Sequence, residues 1–211
     1  MNRREFLKTS LTVTAAVAGG AFLGGALPGF GVTGNSKYGG KNGKMKILVI
    51  TGSPRKNGNS NTLAEHFIKG AKEAGHEVVR FDAAFKKVHP CIACNRCGMN
   101  GQCVFKDDFE FIRKHIADAD LVAFATPMYY FGISAQIKTV IDRFYAINGQ
   151  IHVPKKAVLM MTYAIISHYE VLLDYLGWTD AGQIITPGVW SVGAVNHTKF
   201  PEQAYRLGKT V

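Results

Sequence analysis

One continuous segment sets the fold: Lys46-Ile-Leu-Val-Ile-Thr-Gly-Ser-Pro-Arg-Lys-Asn-Gly-Asn-Ser-Asn-Thr-Leu63. It opens with an apolar run that is typical of a buried strand, and this run breaks at Gly52. A loop rich in Ser, Asn and Gly follows. Apolar residues then recur at helical spacing as far as Gly75, a residue type that suits the end of a helix. The segment therefore predicts a strand, a loop and a helix in succession.

The loop between this strand and this helix is a candidate anion site, because unpaired backbone N–H groups and the helix dipole both favour an anion there. It lacks the Gly-Lys-Ser/Thr ending of a Walker loop and the Gly-x-Gly-x-x-Gly of a dinucleotide fingerprint. Its hydroxyls and amides suit a terminal phosphate monoester without a metal, as in a mononucleotide such as FMN. An ordinary capped helix is the alternative. The candidate phosphate ligands are Ser53, Arg55, Asn59, Ser60, Asn61 and Thr62.

Strands and helices alternate along the rest of the chain, which predicts a parallel sheet with helices on both faces. Ser134 is expected to cap one of the helices, and Asp107 or Asp108 another. The second to fifth strands are expected at residues 76–82, 121–126, 156–162 and 183–192.

Length and charge exclude several classes of protein. At 211 residues the chain predicts one domain plus an appendage, and its formal net charge is +10. Residues 1–44 hold six Lys or Arg and one acid, which is +5, and the remainder holds 19 basic and 14 acidic residues, which is also +5. Since the remainder has no block of Lys and Arg, no nucleic-acid partner is expected.

The first residues follow the pattern of an export signal, with a basic region before a weakly apolar one. Asn2-Arg-Arg-Glu-Phe-Leu-Lys8 matches the core of the twin-arginine signal, and a weakly apolar stretch follows from Leu11. This stretch is short for a membrane span, which needs about 20 apolar residues. We expect residues 1–27 to be a twin-arginine signal, 28–44 a linker and 45–211 the folded domain. The folded protein would then reach the periplasm through the twin-arginine export machinery, anchored to the membrane if the signal stays uncleaved; a chance basic start on a cytoplasmic protein is the alternative.

A second loop is expected to complete a ligand site with the first. In a doubly wound sheet of order 2-1-3-4-5, the ligand lies between the loops that follow strands 1 and 3. Aromatic faces in the loop after strand 3 suit a flavin ring, although ordinary aromatic packing is the alternative. Thr162, after the fourth strand, could close over the ring. The residues of the second loop are Pro127, Met128, Tyr129, Tyr130, Phe131 and Gly132.

All four cysteines lie close together, with the spacing Cys91-x2-Cys94-x2-Cys97-x5-Cys103. Four neighbouring thiolates suit a [4Fe–4S] cluster. They would also satisfy a tetrahedral zinc ion. An oxidising compartment would favour disulfides, so bridged or free thiols are a third alternative.

These motifs resemble those of the NADPH-dependent FMN reductase family. The similarity rests on the Gly52-Ser-Pro-Arg55 loop, on Asp107-Asp108 and on the run from Ala119 to Tyr130, and it is strong from Met45 to about Tyr145. The four close cysteines resemble those of iron–sulfur flavoproteins. The resemblance implies a flavodoxin-like α/β fold, FMN as cofactor, NAD(P)H as electron donor and a homodimer or tetramer. The chain departs from the family's Gly-rich loop after the fourth strand, near Thr162.

Together these features predict an FMN-dependent oxidoreductase whose cysteine site relays single electrons to or from a small molecule or a redox protein. Export would separate the chain from the cytoplasmic NAD(P)H pool and favour a redox protein or a membrane quinol as donor. No acid–base constellation is evident, so no catalytic side chain is predicted. The alternatives are a non-catalytic flavin electron carrier, and a flavodoxin-like domain with a zinc or disulfide cysteine site.

Overall fold

The computed structural model describes residues 43–130, 132–162, 167–189 and 191–211. The predicted signal at residues 1–27 lies outside these ranges, as does the predicted linker except for its last two residues. Within the described ranges, no helix has the length and apolar content that crossing a membrane requires.

Five parallel strands form the central sheet in the order β2-β1-β3-β5-β6. A two-residue strand, β4, turns back from the end of β3 and pairs with it in the antiparallel sense. Apart from this unpredicted hairpin, the order is that of the predicted flavodoxin-like doubly wound sheet. The strands are β1 Lys46–Thr51, β2 Glu77–Asp82, β3 Leu121–Tyr129, β4 Gly132–Ile133, β5 Lys156–Thr162 and β6 Thr179–Ile185.

Helices cover both faces of the sheet, because successive side chains of a strand point to opposite faces. Leu48 and Ile50 of β1 belong to the core shared with α2, α3 and α5, whereas Ile47 and Val49 belong to the core shared with α1 and α6. The described helices are α1 Asn59–Glu73, α2 Phe109–Ile116, α3 Ala135–Asp142, α4 Asn148–Ile151, α5 Ser167–Leu176 and α6 Phe200–Thr210.

Two strand ends differ from the prediction. β3 continues past Thr126 to Tyr129, so the first half of the predicted second loop is strand. β6 begins earlier than predicted and ends at Ile185, not at residue 192. Pro187 has no N–H for a ladder, and Gly188 adopts a φ of +76°, so the chain turns there. The residues after β6 therefore lie at the carboxyl edge of the sheet.

Candidate functional site

The phosphate loop, residues 52–58, connects β1 to α1 at the carboxyl edge of the sheet. Gly58 is the N-cap of α1 and is extended, with φ −74° and ψ +153°, and no side chain caps the helix. The first turn of α1 contains no acidic residue. The N–H groups that begin a helix have no partner within it, so this uncapped end is open to an anion.

Two serines of the predicted set lie beside that helix start. Ser60 is buried, and no described group makes a hydrogen bond with its hydroxyl. The Ser53 hydroxyl is also buried and exchanges hydrogen bonds of 3.3 Å with the backbone of Arg55. Ser60 therefore retains its hydroxyl for a ligand, whereas the Ser53 hydroxyl shapes the loop.

Two other predicted ligands, Asn61 and Thr62, hold the loop through their side chains. The Asn61 amide donates to the carbonyls of Arg55 and Lys56, at 2.8 and 3.2 Å. The Thr62 hydroxyl donates to the Gly58 carbonyl at 3.4 Å. Neither Asn61 nor Thr62 lines the cavity described below.

Asn59 fastens the start of α1 to the segment that follows β6. Its amide donates to the carbonyls of Val189 and Ser191, at 3.3 and 3.0 Å. Its carbonyl oxygen accepts from the N–H groups of Gly193 and Val195, at 3.0 and 3.4 Å. These four hydrogen bonds, here called the Asn59 clamp, use both ends of the side-chain amide.

A cavity of about 180 Å³ opens between the phosphate loop and the ends of β3 and β5. Val189 and Val192 form a wall that was not predicted, because those residues were assigned to a strand. Gly132 pairs in β4, the Tyr130 side chain is exposed outside the lining, and Phe131 lies outside the described residues. The predicted residues that do line the cavity are Ser53, Arg55, Asn59, Ser60, Pro127, Met128, Tyr129 and Thr162.

The cysteine loop, residues 90–104, is an exposed excursion before α2. Ala93, Asn95 and Met99 have φ values of +54°, +54° and +66°, which are rare for residues other than glycine. Among the described residues, no group accepts a hydrogen bond from the backbone N–H groups of residues 91–97. Alternating left-handed residues turn such groups toward a common centre, an arrangement that binds anions and iron–sulfur clusters.

The four cysteines are free thiols that line one small cavity. The cavity has a volume of about 20 Å³, which is smaller than a cluster, and the Cys91 and Cys94 side chains at this cavity are exposed to solvent. Across the described ranges, no three His, Cys, Asp or Glu side chains are arranged to hold a single metal ion. The donor chemistry fits an iron–sulfur cluster, whose four iron corners each take one thiolate.

Both ends of the cysteine loop are joined by Arg143, whose side chain is 1% exposed. Its guanidinium donates to the His89 carbonyl at 2.8 Å and to the Phe105 carbonyl at 3.3 Å. It also forms a two-point ion pair with Asp107, at 2.9 and 3.4 Å. The rings of Phe105 and Phe109 lie 5.5 and 4.7 Å from the guanidinium carbon.

Asp107 is held ionised by this environment. Burial by itself raises the pKa of the Asp107 carboxyl. Hydrogen bonds from Arg143 and from the N–H groups of His89 and Phe109 together lower the pKa by more than burial raises it, so the net pKa is below its usual value. Asp108 is the N-cap of α2, but its side chain makes no capping hydrogen bond, so the predicted side-chain cap is not formed there. Asp107, one residue earlier, accepts the hydrogen bond from the Phe109 N–H at 3.1 Å.

Further contacts fasten the middle of the cysteine loop. The Tyr145 hydroxyl donates to the Asn95 side chain at 2.8 Å, and Arg113 donates to the Gly101 carbonyl at 3.0 Å. The loop is therefore held by side chains of neighbouring helices and not by the sheet.

Known proteins resemble this chain over most of the described range. The profile of the family described as NADPH-dependent FMN reductase matches residues 45–187. An iron-sulfur flavoprotein of Archaeoglobus fulgidus is 31% identical over 153 residues, which cover 71% of this chain and 68% of that protein. An iron-sulfur flavoprotein of Methanocaldococcus jannaschii is 38% identical over 99 residues, which cover 47% of this chain and 51% of that protein.

Among solved structures, an NAD(P)H:quinone oxidoreductase from Methanothermobacter marburgensis has a TM-score of 0.59 and 15% identity, over 79% of this chain and 98% of that one. At this identity the likeness shows the fold alone. The family profile, by contrast, spans more than half of the chain and includes both the phosphate loop and the cysteine loop. The chain therefore belongs to the NADPH-dependent FMN reductase family, a family of flavin-dependent oxidoreductases.

Proposed function

We propose that this chain binds FMN and transfers electrons between a donor and a small-molecule or redox-protein acceptor. One observation carries the proposal: the uncapped start of α1 and the unpartnered Ser60 hydroxyl lie at a cavity of about 180 Å³. Arg55 lines the same cavity and supplies a positive charge. These groups match the oxygens and the negative charge of a phosphate monoester.

The wall opposite the phosphate loop suits the flavin ring. Pro127, Met128 and Tyr129 bring apolar and aromatic surface from the end of β3, and Val189 and Val192 add apolar surface after β6. A flavin supplies the redox chemistry itself, since its ring accepts and releases electrons or hydride. The residues of this chain bind the phosphate, orient the ring and exclude water from one side of it.

The second part of the proposal is a [4Fe–4S] cluster held by Cys91, Cys94, Cys97 and Cys103, which would serve as a one-electron relay. Its support is the shared cavity of four free thiols, the unpaired N–H groups of residues 91–97 and the iron-sulfur relatives named above. Zinc has less support, because among the described residues no three Cys, His, Asp or Glu side chains are arranged to hold a single ion.

The phosphate site is tested by Ser60→Ala. Loss of a hydrogen bond to a charged group costs about 1.5–3 kcal/mol, so the Kd for FMN should rise roughly tenfold to a hundredfold. Riboflavin, which lacks the phosphate, is the matched ligand, and its Kd should not change. An equal loss for both ligands, or no loss for either, would contradict a phosphate at α1.

The two cofactors are tested together by purifying the chain without oxygen. A flavin spectrum with about four iron and four sulfide per chain is expected from four-thiolate ligation of one cluster. Flavin without iron would leave an FMN reductase and remove the relay. Turnover with a quinone or an azo dye under a chemical reductant should saturate with substrate, whereas a mere electron carrier would show no saturation.

Donor, compartment and assembly complete the proposal. Family membership favours NAD(P)H as the electron donor. Residues 2–8 favour export to the periplasm by the twin-arginine machinery. In that compartment a redox protein or a quinol would take the place of NAD(P)H as donor. Fusing residues 1–44 to a reporter, with Arg3 and Arg4 replaced by lysine as control, tests export. Steady NADPH oxidation at a physiological rate would assign the donor to NADPH. Light scattering tests the expected homodimer or tetramer.

A further inference from the structure

We propose that Arg143 is a positioning residue for the relay: it places a fixed positive charge at the base of the cysteine pocket and so raises the reduction potential of the cluster held there. The inference rests on the proposed function, because it requires a cluster on the four cysteines. It adds a residue that is neither a ligand nor part of the flavin cavity.

The position of Arg143 is the first support. It lines the cysteine cavity together with all four cysteines, and its side chain is almost fully buried. The carbonyls that it contacts belong to His89 and Phe105, which flank the cysteine loop on either side. The guanidinium therefore sits where the loop closes, and its distance from the thiols is fixed by hydrogen bonds to the backbone.

The second support is that the positive member of the Arg143–Asp107 ion pair, and not the negative one, lines the cysteine cavity. Asp107 neutralises the pair formally, yet Asp107 does not line the cavity and bonds only the terminal nitrogens of Arg143. Arg143 Nε is buried and has no hydrogen-bond partner among the described residues. Among the described residues, no Asp or Glu lines the cavity. Of the Arg143–Asp107 ion pair, only the cation shares this lining with the thiols.

The effect on potential follows from electrostatics. Reduction adds one electron, and hence one negative charge, to a thiolate-bound cluster that is already anionic. A fixed cation stabilises the reduced form more than the oxidised form, and burial weakens the screening of that interaction by water. An exposed cation such as Arg96 in the same loop would contribute less.

Arg143→Gln and Asp107→Asn test the inference in opposite directions. The full chain is loaded with its cluster without oxygen, and the potential is measured by titration with dithionite, which donates the electron and is oxidised to sulfite, while EPR follows the reduced cluster. Arg143→Gln should lower the equilibrium constant for one-electron reduction about tenfold, which corresponds to a reduction potential about 59 mV lower. Asp107→Asn leaves the Arg143 charge without its counter-ion and should shift the potential upward.

Matched controls separate charge from shape. Arg143→Lys keeps the charge and should keep the potential. Arg113→Gln removes another arginine that fastens the loop, through the Gly101 carbonyl, but does not line the cavity, so its potential should match the wild type. Iron and sulfide content is measured for every variant before the titration.

The outcomes are distinguishable. A wild type without iron overturns the cluster and this inference with it. A loaded wild type whose potential equals that of Arg143→Gln overturns this inference and leaves the cluster intact. If Arg143→Gln does not load, Asp107→Asn decides, since an unchanged or lowered potential in that variant contradicts the proposed direction of the field.

Discussion

The phosphate loop and the cysteine loop both leave regular structure at the places proposed for the two cofactors, but different forces hold them. The phosphate loop joins a buried strand to a buried helix, and none of its residues has a positive φ. The cysteine loop is exposed, and Ala93, Asn95 and Met99 adopt left-handed conformations that cost roughly 1–2 kcal/mol each. It is held by side chains such as Arg143 and Tyr145.

The difference separates a site that the fold forms from a site that its ligand must complete. Packing of β1 and α1 fixes the phosphate loop before any cofactor arrives. The left-handed residues of the cysteine loop need a compensating gain, and the metal–thiolate bonds of the proposed cluster would supply one because ligation is coupled to local folding. The two sites should therefore fail independently.

The largest effect should come from replacing all four cysteines by serine. Iron and sulfide should be lost completely, because serine does not supply the thiolates that the cluster requires. The cysteines and the phosphate loop line different cavities with no lining residue in common. The Kd for FMN should therefore stay within about twofold of the wild type, because substitutions at separate sites act nearly independently. Metal analysis and FMN titration check this, and a large loss of FMN affinity would show that the sites are coupled.

Gly52→Ala should do the reverse. A Cβ at position 52 would lie 2.2 Å from Ser134 Oγ and 2.7 Å from Ile137 Cγ1, at the start of α3. Overpacking of this kind costs about 1–3 kcal/mol of unfolding free energy, and the displaced loop should lose FMN affinity while iron is retained. Urea unfolding and FMN titration measure both effects.

Gly177→Ala is the control for Gly52→Ala. It strains the backbone, at φ +66°, but its Cβ would meet no atom within 4 Å. It should lower stability by roughly 1 kcal/mol without altering FMN affinity. Equal losses of FMN affinity in the two variants would mean that the Gly52 substitution acts only by lowering global stability.

A smaller effect is expected from Asn59→Ala, which removes the Asn59 clamp. Backbone groups of Val189, Ser191, Gly193 and Val195, which are partly buried or exposed, would lose a partner, at about 1–3 kcal/mol in total because water replaces most of these hydrogen bonds. Amide hydrogen exchange should become faster at Gly193 and Val195, because their N–H groups donate hydrogen bonds to the Asn59 side-chain oxygen. The affinities for riboflavin and for FMN should fall by the same factor, in contrast to the effect of Ser60→Ala. The reason is that Asn59→Ala disturbs the wall formed by Val189 and Val192 and not the phosphate site.

The smallest effect concerns acid stability. The pKa of Asp107 is lower in the folded chain than its ordinary value of 3.8, so the ion pair with Arg143 stabilises the fold above that value. The contribution disappears as the pH falls below 3.8 through the folded pKa. The melting temperature of the wild type should thus fall more steeply on acidification than that of Asp107→Asn. Parallel pH profiles would contradict this assignment.

Periodicity was enough to predict the sheet and most helices. The bounds of β5 agree with the prediction because its apolar run is continuous. The reversal of strand order predicts a site between the loops after β1 and β3, and the cavity of about 180 Å³ lies there. The predicted end of β6 is wrong because Val189 and Val192 extend the apolar pattern of the sequence, whereas Pro187 and Gly188 turn the chain before them.

Side-chain roles at the site were less predictable. Sequence alone does not distinguish an amide that meets a phosphate from one that holds the loop, and the structure commits Asn59 and Asn61 to the second role. The motifs of the sequence do not mark Arg143 as a functional residue. Its partner proved to be Asp107, 36 residues earlier, and no local pattern reports a contact at that separation.

The Asn59 clamp also bears on the order in which the protein is made. Asn59 is synthesised early, whereas its partners, from Val189 to Val195, follow 130 to 136 residues later. A nascent chain can thus carry the phosphate loop and α1 long before the valine wall exists. Flavin captured at that stage would meet an open cavity and exchange readily, so retention of the cofactor should begin only after the ribosome has released residue 195.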